Sequence, residues 1–214
     1  MINVIYEDNH VLVVIKPQNI PTQEDSSGDK DMLTLVKEYI KEKYNKPGNV
    51  YVGLVHRLDR PTGGVMVFAK TSKAAKRLSS QIANHEFKKS YYAVVHGNIE
   101  SSGVLKDKLS KNSKLNKSFV SKEGKDAELS FVKKGFKDGL SLVDINLKTG
   151  RSHQIRVQFS HHGFPLYGDQ KYNENTFLDN IALFAYKVSF YHPTTHEYLS
   201  FSISMPSRYP FNLF

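Results

Sequence analysis

The sequence predicts an α+β fold in which a mixed, mainly antiparallel sheet carries inserted helices. Segments typical of strands outnumber those typical of helices. The helical segments also do not alternate regularly with strands, as a parallel βαβ sheet would require. With 214 residues, the chain is below the roughly 250 to 300 residues at which one core usually divides. We therefore expect a single domain covering residues 1–214.

The predicted strands are short apolar or alternating segments. Residues 11–15 are a continuous apolar run that stops at Lys16-Pro17, and residues 91–96 alternate until Gly97. Near the end of the chain, two alternating segments flank the turn-forming residues 192–196, which predicts a hairpin. The strand candidates are 11–15, 65–69, 91–96, 143–147, 186–190 and 199–203.

Three helices are predicted from apolar spacing and from capping residues. Asp31 is placed to cap a helix in which apolar residues recur at helical spacing, so that one face is buried; they are Met32, Leu35, Val36, Tyr39 and Ile40. Thr71-Ser72 is placed to cap a second helix, in which Ala75, Leu78 and Ile82 share a face. A third helix is expected within residues 152–162, with Gly163 just after its end.

The amino-acid composition limits which classes of partner and which kinds of chemistry are expected. The formal net charge of +9 favours a polyanionic partner, nucleic acid first of all. The absence of cysteine excludes disulfides, thiolate metal sites and cysteine nucleophiles. No segment approaches the roughly 20 apolar residues of a membrane span, and no secretory signal is visible, so we expect a cytoplasmic protein with no membrane partner.

Residues 101–125 are polar and rich in lysine. Two interpretations stay open for them, a solvated loop or hairpin and an arm that contacts RNA, and the two are compatible. The lysines concerned are Lys106, Lys108, Lys111, Lys114, Lys117, Lys122 and Lys125.

Residues 55–64 contain the chain's highest concentration of polar and charged side chains suited to chemistry. They lie between the first predicted helix and the strand at 65–69. Asp59 is flanked there by Arg57 and Arg60. Neighbouring positive charge favours the ionised carboxylate that a nucleophile or base needs. The same pattern is also typical of a structural ion pair, and physical chemistry alone does not choose between the two.

This segment resembles the signature of the RluA-type pseudouridine synthases, His-Arg-Leu-Asp-x-x-Thr-Ser-Gly. It reads His56-Arg57-Leu58-Asp59, then Thr62-Gly63-Gly64, so Gly63 replaces the usual serine. In that family the aspartate is the catalytic residue. The resemblance therefore implies that Asp59 is the catalytic carboxylate, whether it attacks the ribose, attacks the uracil or removes a ribose proton.

Three further segments resemble the same family in order and spacing. Residues 6–17 are similar to its opening strand, in which Lys16 and Pro17 are interpreted as structural. Lys89-Ser90-Tyr91 is similar to the segment that carries the family's active-site tyrosine. Residues 149–157, followed by Gly168-Asp169, resemble the segment that carries its buried arginine, here Arg156. The departures are Ser152, Phe164 and Phe184.

The resemblance implies an RNA-modifying isomerase that converts uridine in ribosomal or transfer RNA to pseudouridine without a cofactor or a metal. Its active site is expected in a cleft between two lobes of one monomer. No room is expected for an RNA-binding module before the opening strand near residue 6. The implied site residues are Asp59, Tyr91 and Arg156 for catalysis, with Arg57 filling the space of the flipped nucleotide and Ile155 and Leu183 lining the base pocket.

Phosphate contacts are expected from Lys73, Lys76 and Arg77, which share a face of the second predicted helix. Two other function classes are weighed. One is an RNA-binding module that has lost catalysis, for which Gly63 is the only hint. The other is a hydrolase or phosphotransferase using Asp59, which lacks a recognisable metal site or phosphate-binding loop.

Overall fold

A computed structural model of the chain describes residues 2–173 and 180–214. These residues divide into two compact units. The first unit contains the residues up to Lys88 together with Lys187–Ile203, and the second contains Lys89–Tyr186 together with Ser204–Phe214. Eleven strands and three α-helices lie in the described residues. The α+β prediction is confirmed.

The first unit is built on an antiparallel arrangement of β1, β2 and β4, with β2 paired to both neighbours. The short β3 pairs with β4, and the end of β10 forms a hairpin with β11. The bounds are β1 Asn3–Glu7, β2 Val11–Lys16, α1 Met32–Lys43, β3 Gly53–Leu54, β4 Gly63–Ala69, α2 Ser72–Ala83, β10 Leu183–Tyr191 and β11 Tyr198–Ser202.

The β2 and β4 strands are apolar on both faces, which is why their sequences are continuous apolar runs and do not alternate. Val11 and Val13 pack with Ala74 and Leu78 of α2 in one cluster. Leu12 and Val14 point to the opposite face by strand geometry and are also fully buried. A rigid layer of strands therefore holds the segment that joins β3 to β4.

Both predicted N-caps are present. The Asp31 carboxylate accepts the Thr34 N–H at 3.1 Å, and the Thr71 hydroxyl oxygen accepts the Ala74 N–H at 3.1 Å. Each bond satisfies one of the donors that a helix start leaves open. The longest helices have 12 residues, so none of the described helices could serve as a membrane-spanning segment.

The second unit orders its strands β5-β9-β8-β6-β7, and the pairs from β5 to β7 are antiparallel. The lysine-rich stretch forms the β6–β7 hairpin, in agreement with the hairpin interpretation. Strand β8 was not predicted, although Ala127, Leu129 and Phe131 alternate along it and are buried. The bounds are β5 Lys88–His96, β6 Ser102–Asn112, β7 Lys117–Val120, β8 Lys125–Lys137, β9 Leu140–Leu147, α3 Gln154–His161 and a 3-10 turn at Phe211–Leu213.

Glu7 in β1 is the centre of a partly buried ionic cluster in the first unit. Its carboxylate accepts hydrogen bonds from Lys43, Lys70, Tyr39 and Tyr44 at 2.6 to 2.9 Å. Burial raises the pKa of Glu7, but these hydrogen bonds outweigh burial and lower the pKa from 4.5 to about 2. The cluster fastens α1 to the sheet.

We expect Glu7 to contribute about 1 to 3 kcal/mol of stability, since one pKa unit corresponds to about 1.36 kcal/mol and solvent screens the exposed partners. Because the folded pKa lies below the unfolded one, this contribution is present above pH 4.5 and is lost as the pH falls toward 2. Glu7→Gln should lower the free energy of unfolding at pH 7 and flatten its pH dependence in urea titrations between pH 3 and 7.

The matched control is Glu38→Gln. Glu38 pairs with Lys30 at 2.8 Å, but both side chains are more than half exposed. Such pairs contribute about 0 to 1 kcal/mol. Equal losses in the two variants would contradict the special role of the partly buried cluster.

Candidate active site

The loop that carries Asp59 joins β3 to β4 and has its main chain held at every position from 58 to 62. Five consecutive carbonyl oxygens accept hydrogen bonds. Those of Leu58 and Asp59 accept from the Thr22 hydroxyl and the Thr62 N–H at 2.7 and 2.9 Å. The next three accept from the Asn19 N–H, the Gln18 amide and the Lys16 ammonium at 2.8 to 2.9 Å. Because the bonds are to the main chain, they fix the backbone of the loop.

Lys16 holds this loop in place through hydrogen bonds to its main chain. Its ammonium is fully buried and donates to the carbonyl oxygens of Pro17, Arg60 and Thr62 at 2.8 to 3.0 Å. Burial lowers the pKa of Lys16 to about 7, the negative charge of Asp59 raises it, and Arg60 lowers it. The sequence assigned Lys16 a structural role, and the structure adds that its charge is coupled to that of Asp59.

Gly63 begins β4, directly after the loop. A β-carbon at this position would lie 3.0 Å from Gln18 Cγ and 3.3 Å from the Lys16 carbonyl oxygen. Both distances are tighter than ordinary packing contacts. The glycine that replaces the usual serine therefore matches the placement of Gln18, whose amide donates to Pro61.

Of the two arginines beside Asp59, Arg57 is exposed and Arg60 is partly exposed, and both have partners elsewhere. Arg60 pairs with Asp29, lies 3.6 Å from Asp25 and donates to Ser27 at 2.8 Å. Arg57 makes a 3.5 Å contact with the Gln23 side-chain oxygen. The sequence places both arginines as positive charges near Asp59, and the structure adds the buried Lys16 as a third.

In the second unit, Arg156 of α3 forms a buried, two-pronged ion pair with Asp169. Its Nε donates to Asp169 Oδ2 at 2.8 Å and its NH2 group to Oδ1 at 2.6 Å. Both side chains are at most 6% exposed. The guanidinium also lies 5.2 Å from the centre of the Tyr172 ring. The arginine head is thereby fixed in orientation, since a carboxylate matches the planar guanidinium at two points.

The turn before α3 is closed by side chains of the same sequence motif. Gln154 Oε1 accepts the Thr149 hydroxyl at 2.8 Å and the Arg151 N–H at 3.0 Å. His153 adopts a left-handed backbone with φ 54°, and its Nδ1 lies 2.7 Å from the Tyr172 hydroxyl. These contacts explain why α3 begins at Gln154, two residues later than the predicted start.

The adjacent tyrosines of β5 point to opposite faces of the strand. Tyr91 is 5% exposed and lies opposite Ile145 of β9. Tyr92 stacks on Tyr186 with ring centres 4.0 Å apart, and it packs in the apolar cluster around Val94. Tyr92 is therefore a core aromatic, as the sequence interpretation preferred.

Residues 10–161, which contain the Asp59 loop, β5 and the Arg156 segment, match the family described as RNA pseudouridylate synthase. The chain belongs to this family. The RluA-type resemblance is confirmed, and this pseudouridylate synthase is an isomerase of RNA.

Curated relatives agree with the family assignment. The chain is 35% identical over 213 residues to YlyB of Bacillus subtilis, named an uncharacterized RNA pseudouridine synthase, covering 96% of the chain and 69% of that protein. It is 35% identical over 208 residues to the ribosomal large subunit pseudouridine synthase C of Buchnera aphidicola (Schizaphis graminum), covering 90% and 64%. The chain thus spans about two thirds of the length of these relatives.

Solved structures share the fold. Human RNA pseudouridylate synthase domain containing 4 superposes with a TM-score of 0.79 at 20% identity, covering 95% of this chain and 88% of that one. Human RNA pseudouridylate synthase domain containing 1 gives a TM-score of 0.74 at 22% identity, covering 97% and 85%. At these identities the likeness concerns the fold alone.

The structure of this pseudouridylate synthase distributes the predicted site residues over both units. Asp59 and Arg57 belong to the first unit. The second unit contains Tyr91 and Arg156, with Ile155 and Leu183 buried at 4% and 3% exposure. Of the predicted phosphate contacts in α2, Lys73 and Lys76 are exposed, whereas Arg77 is half-buried and donates to the Pro193 carbonyl at 2.5 Å. Arg77 is therefore a weaker candidate for RNA than its two neighbours.

No cluster of three or more metal-ligating side chains occurs within the part of the chain that the structure describes.

Sequence reasoning missed the pairing of Arg156 with Asp169, although Asp169 belongs to the quoted family motif. The feature of the sequence that could have revealed this pairing is the glycine before Asp169, and Gly168 has a φ of 73°. A β-carbon on this glycine would lie 2.3 Å from the Asn180 carbonyl oxygen, so the chain passes closely enough for only glycine to fit.

Proposed function

We propose that this protein isomerises a specific uridine in ribosomal or transfer RNA to pseudouridine, with Asp59 as the catalytic carboxylate. The family match carries the proposal, because it runs through the Asp59 segment and through α3 with Arg156. The Asp59 loop supports it, since five held carbonyls preorganise the loop before substrate binds.

The reaction needs no external reactant. The bond from ribose C1′ to uracil N1 breaks, the uracil turns, and a new bond forms from C1′ to C5. The proton on C5 leaves and N1 ends protonated, so atoms and electrons balance. Asp59 begins this sequence by attacking C1′, by attacking the uracil ring or by removing a ribose proton. All three routes require an ionised carboxylate at the substrate.

We also assign four residues of the second unit to the reaction. Tyr91 contacts the uracil and assists the transfer of the C5 proton. Arg156, held in orientation by Asp169, provides a fixed positive charge for the reacting carboxylate. Ile155 and Leu183 give the detached base apolar walls. A base that has lost its glycosidic bond must be retained, and an apolar pocket retains it.

The target nucleotide has to leave its stack, because a stacked helix hides the glycosidic carbon. Extrusion costs a few kcal/mol, which contacts to the RNA must offset. Arg57 is exposed and placed next to Leu58 and Asp59, and we assign it to the space that the nucleotide vacates. Lys73 and Lys76 on the exposed face of α2 are assigned to RNA phosphates.

Ribosomal RNA is the first pool to test. Several relatives that are 30 to 35% identical to the chain are named ribosomal large subunit pseudouridine synthase C. Transfer RNA remains the second pool. The two pools differ in shape and in single-stranded elements, which is what sequence-specific RNA recognition reads.

The test is release of tritium from RNA that carries tritium at C5 of uridine. The protein should release label from one of the two pools and reach a plateau that corresponds to a small whole number of uridines per RNA molecule. If no pool of cellular RNA loses label while the protein still binds RNA, the chain is an RNA-binding module without catalysis. Salt-dependent RNA binding by itself would fit both outcomes.

A further inference from the structure

Lys89 is a lysine of the second unit to which neither the sequence nor the proposed mechanism assigns a task. It is the second residue of β5, two positions before Tyr91. Because strand side chains alternate between faces, Lys89 and Tyr91 lie on the same face and Lys88 lies on the other. Lys89 is only partly exposed, whereas Lys88 is exposed and donates to the His85 carbonyl at 2.7 Å.

The Lys89 ammonium lies against the turn that leads to Arg156. A β-carbon on Gly150 would be 3.1 Å from Lys89 Nζ, closer than ordinary packing allows. Gly150 is the second residue of the Thr149 to Val157 motif. Because Gly150 has no side chain, the ammonium lies close to the main chain of the turn, and of the described residues beyond Gly150 and its two neighbours, no other heavy atom lies within 4 Å of that β-carbon position.

Lys89 differs from two other enclosed lysines, Lys16 and Lys70, which have bonded counter-groups within the described residues. Lys16 donates to three carbonyls, and Lys70 donates to Glu7 at 2.7 Å and to the Asp8 carbonyl at 2.6 Å. Within residues 2–173 and 180–214, no carboxylate or carbonyl bonds to the Lys89 ammonium. Burial alone lowers the pKa of Lys89.

An ammonium withdrawn from water without a partner costs free energy, and an anion arriving at the site would offset that cost. RNA supplies such an anion at every nucleotide. We propose that Lys89, whose ammonium lies beside Gly150, binds one backbone phosphate of the RNA on the Tyr91 face of β5 and so positions the target nucleotide. This inference rests on the proposed function, because the anion belongs to the substrate.

The first test compares Lys89→Met and Lys89→Arg with the matched control Lys88→Met. A charge-assisted hydrogen bond contributes enough that Lys89→Met should weaken RNA binding about 10- to 100-fold. The slope of log Kd against log salt should fall by about 0.7, the value for one contact to single-stranded RNA. Lys89→Arg should retain most of the affinity, and Lys88→Met should bind as the wild type does.

Thermal unfolding distinguishes a phosphate-binding role of Lys89 from a purely structural role. Removing a partly buried charge that has no bonded partner in residues 2–173 and 180–214 should leave the melting temperature of Lys89→Met unchanged or raise it. A lower melting temperature together with unchanged RNA affinity would overturn the proposal, because Lys89 would then serve the fold. Equal losses of affinity in Lys88→Met and Lys89→Met would overturn it as well, since any surface lysine would give that result.

The second test identifies the phosphate. RNA carrying a single neutral methylphosphonate linkage, moved one position at a time around the target uridine, should bind the wild type about 10- to 100-fold more weakly at one position. The same RNA should bind Lys89→Met no more weakly than unmodified RNA does. Additive losses at every position would overturn the assignment. If inorganic phosphate shifts the Lys89 NMR signal while RNA does not, the site serves a free anion and the proposal is wrong.

A failure of the Lys89 proposal can be distinguished from a failure of the proposed function. If the wild type releases no tritium from any RNA, the proposed function fails, while the salt dependence of RNA binding in Lys89→Met and Lys88→Met still reports on Lys89. If the wild type isomerises uridine and Lys89→Met matches it in affinity, kcat and KM, only the phosphate site fails.

Discussion

Replacing Asp59 with asparagine is expected to lower the rate of pseudouridine formation by at least about 10⁴-fold, the order of loss seen when a reacting group is removed. The asparagine amide has the same shape but can neither attack a carbon nor accept a proton at neutral pH. The measurement is single-turnover tritium release with enzyme in excess over RNA, so that binding and product release do not limit the rate.

The fold of this variant should survive, because the loop is held through its main chain. The three carbonyls bound to Lys16 remain in place, although the charge of Asp59 that favours the Lys16 ammonium is gone. We therefore expect native circular dichroism, a small loss of stability and unchanged RNA affinity. The Asp59→Asn variant would thus bind RNA as the wild type does but would not isomerise uridine.

The matched control is Asp29→Asn, which removes a carboxylate that pairs with Arg60 of the same loop. Asp29 is exposed, and exposed ion pairs contribute little. Activity should stay within about twofold of the wild type. Tritium release that persisted in Asp59→Asn would remove Asp59 from the mechanism, whatever the control did.

Breaking the buried Arg156–Asp169 pair has the second largest expected effect. Asp169→Asn should lower the free energy of unfolding by about 3 to 5 kcal/mol, because the guanidinium of Arg156 would stay buried beside a neutral amide. Activity should fall as well, since the fixed orientation of Arg156 depends on two bonds to the carboxylate. Urea unfolding and tritium release measure the two effects separately.

The control for this prediction replaces both partners. Arg156→Met combined with Asp169→Leu removes both charges and leaves apolar side chains, and such exchanges are often neutral or stabilising. The double variant should recover most of the lost stability but no activity. Recovery of activity would contradict a role of Arg156 at the substrate, and a loss below about 1 kcal/mol in Asp169→Asn would contradict the importance of the pair for the fold.

Much of the local structure follows from short-range patterns. The caps Asp31 and Thr71, the apolar runs of β2 and β4 and the β10–β11 hairpin depend on residues within a few positions of one another. Periodicity and capping chemistry report such neighbours directly. Strand β8 shows the limit, because its alternating apolar residues follow a long lysine-rich segment that dominated the interpretation.

The sequence by itself determined the fold class, the family and the identity of the candidate residues around Asp59, Tyr91 and Arg156. It did so because the motif residues are close together in the chain and their order is preserved over residues 10–161. Only the tertiary structure decided which groups surround these residues. Lys16 meets the Asp59 loop across 44 positions, and Lys89 meets Gly150 across a still longer separation. Such pairs are set by strand order and burial, which local spacing does not encode.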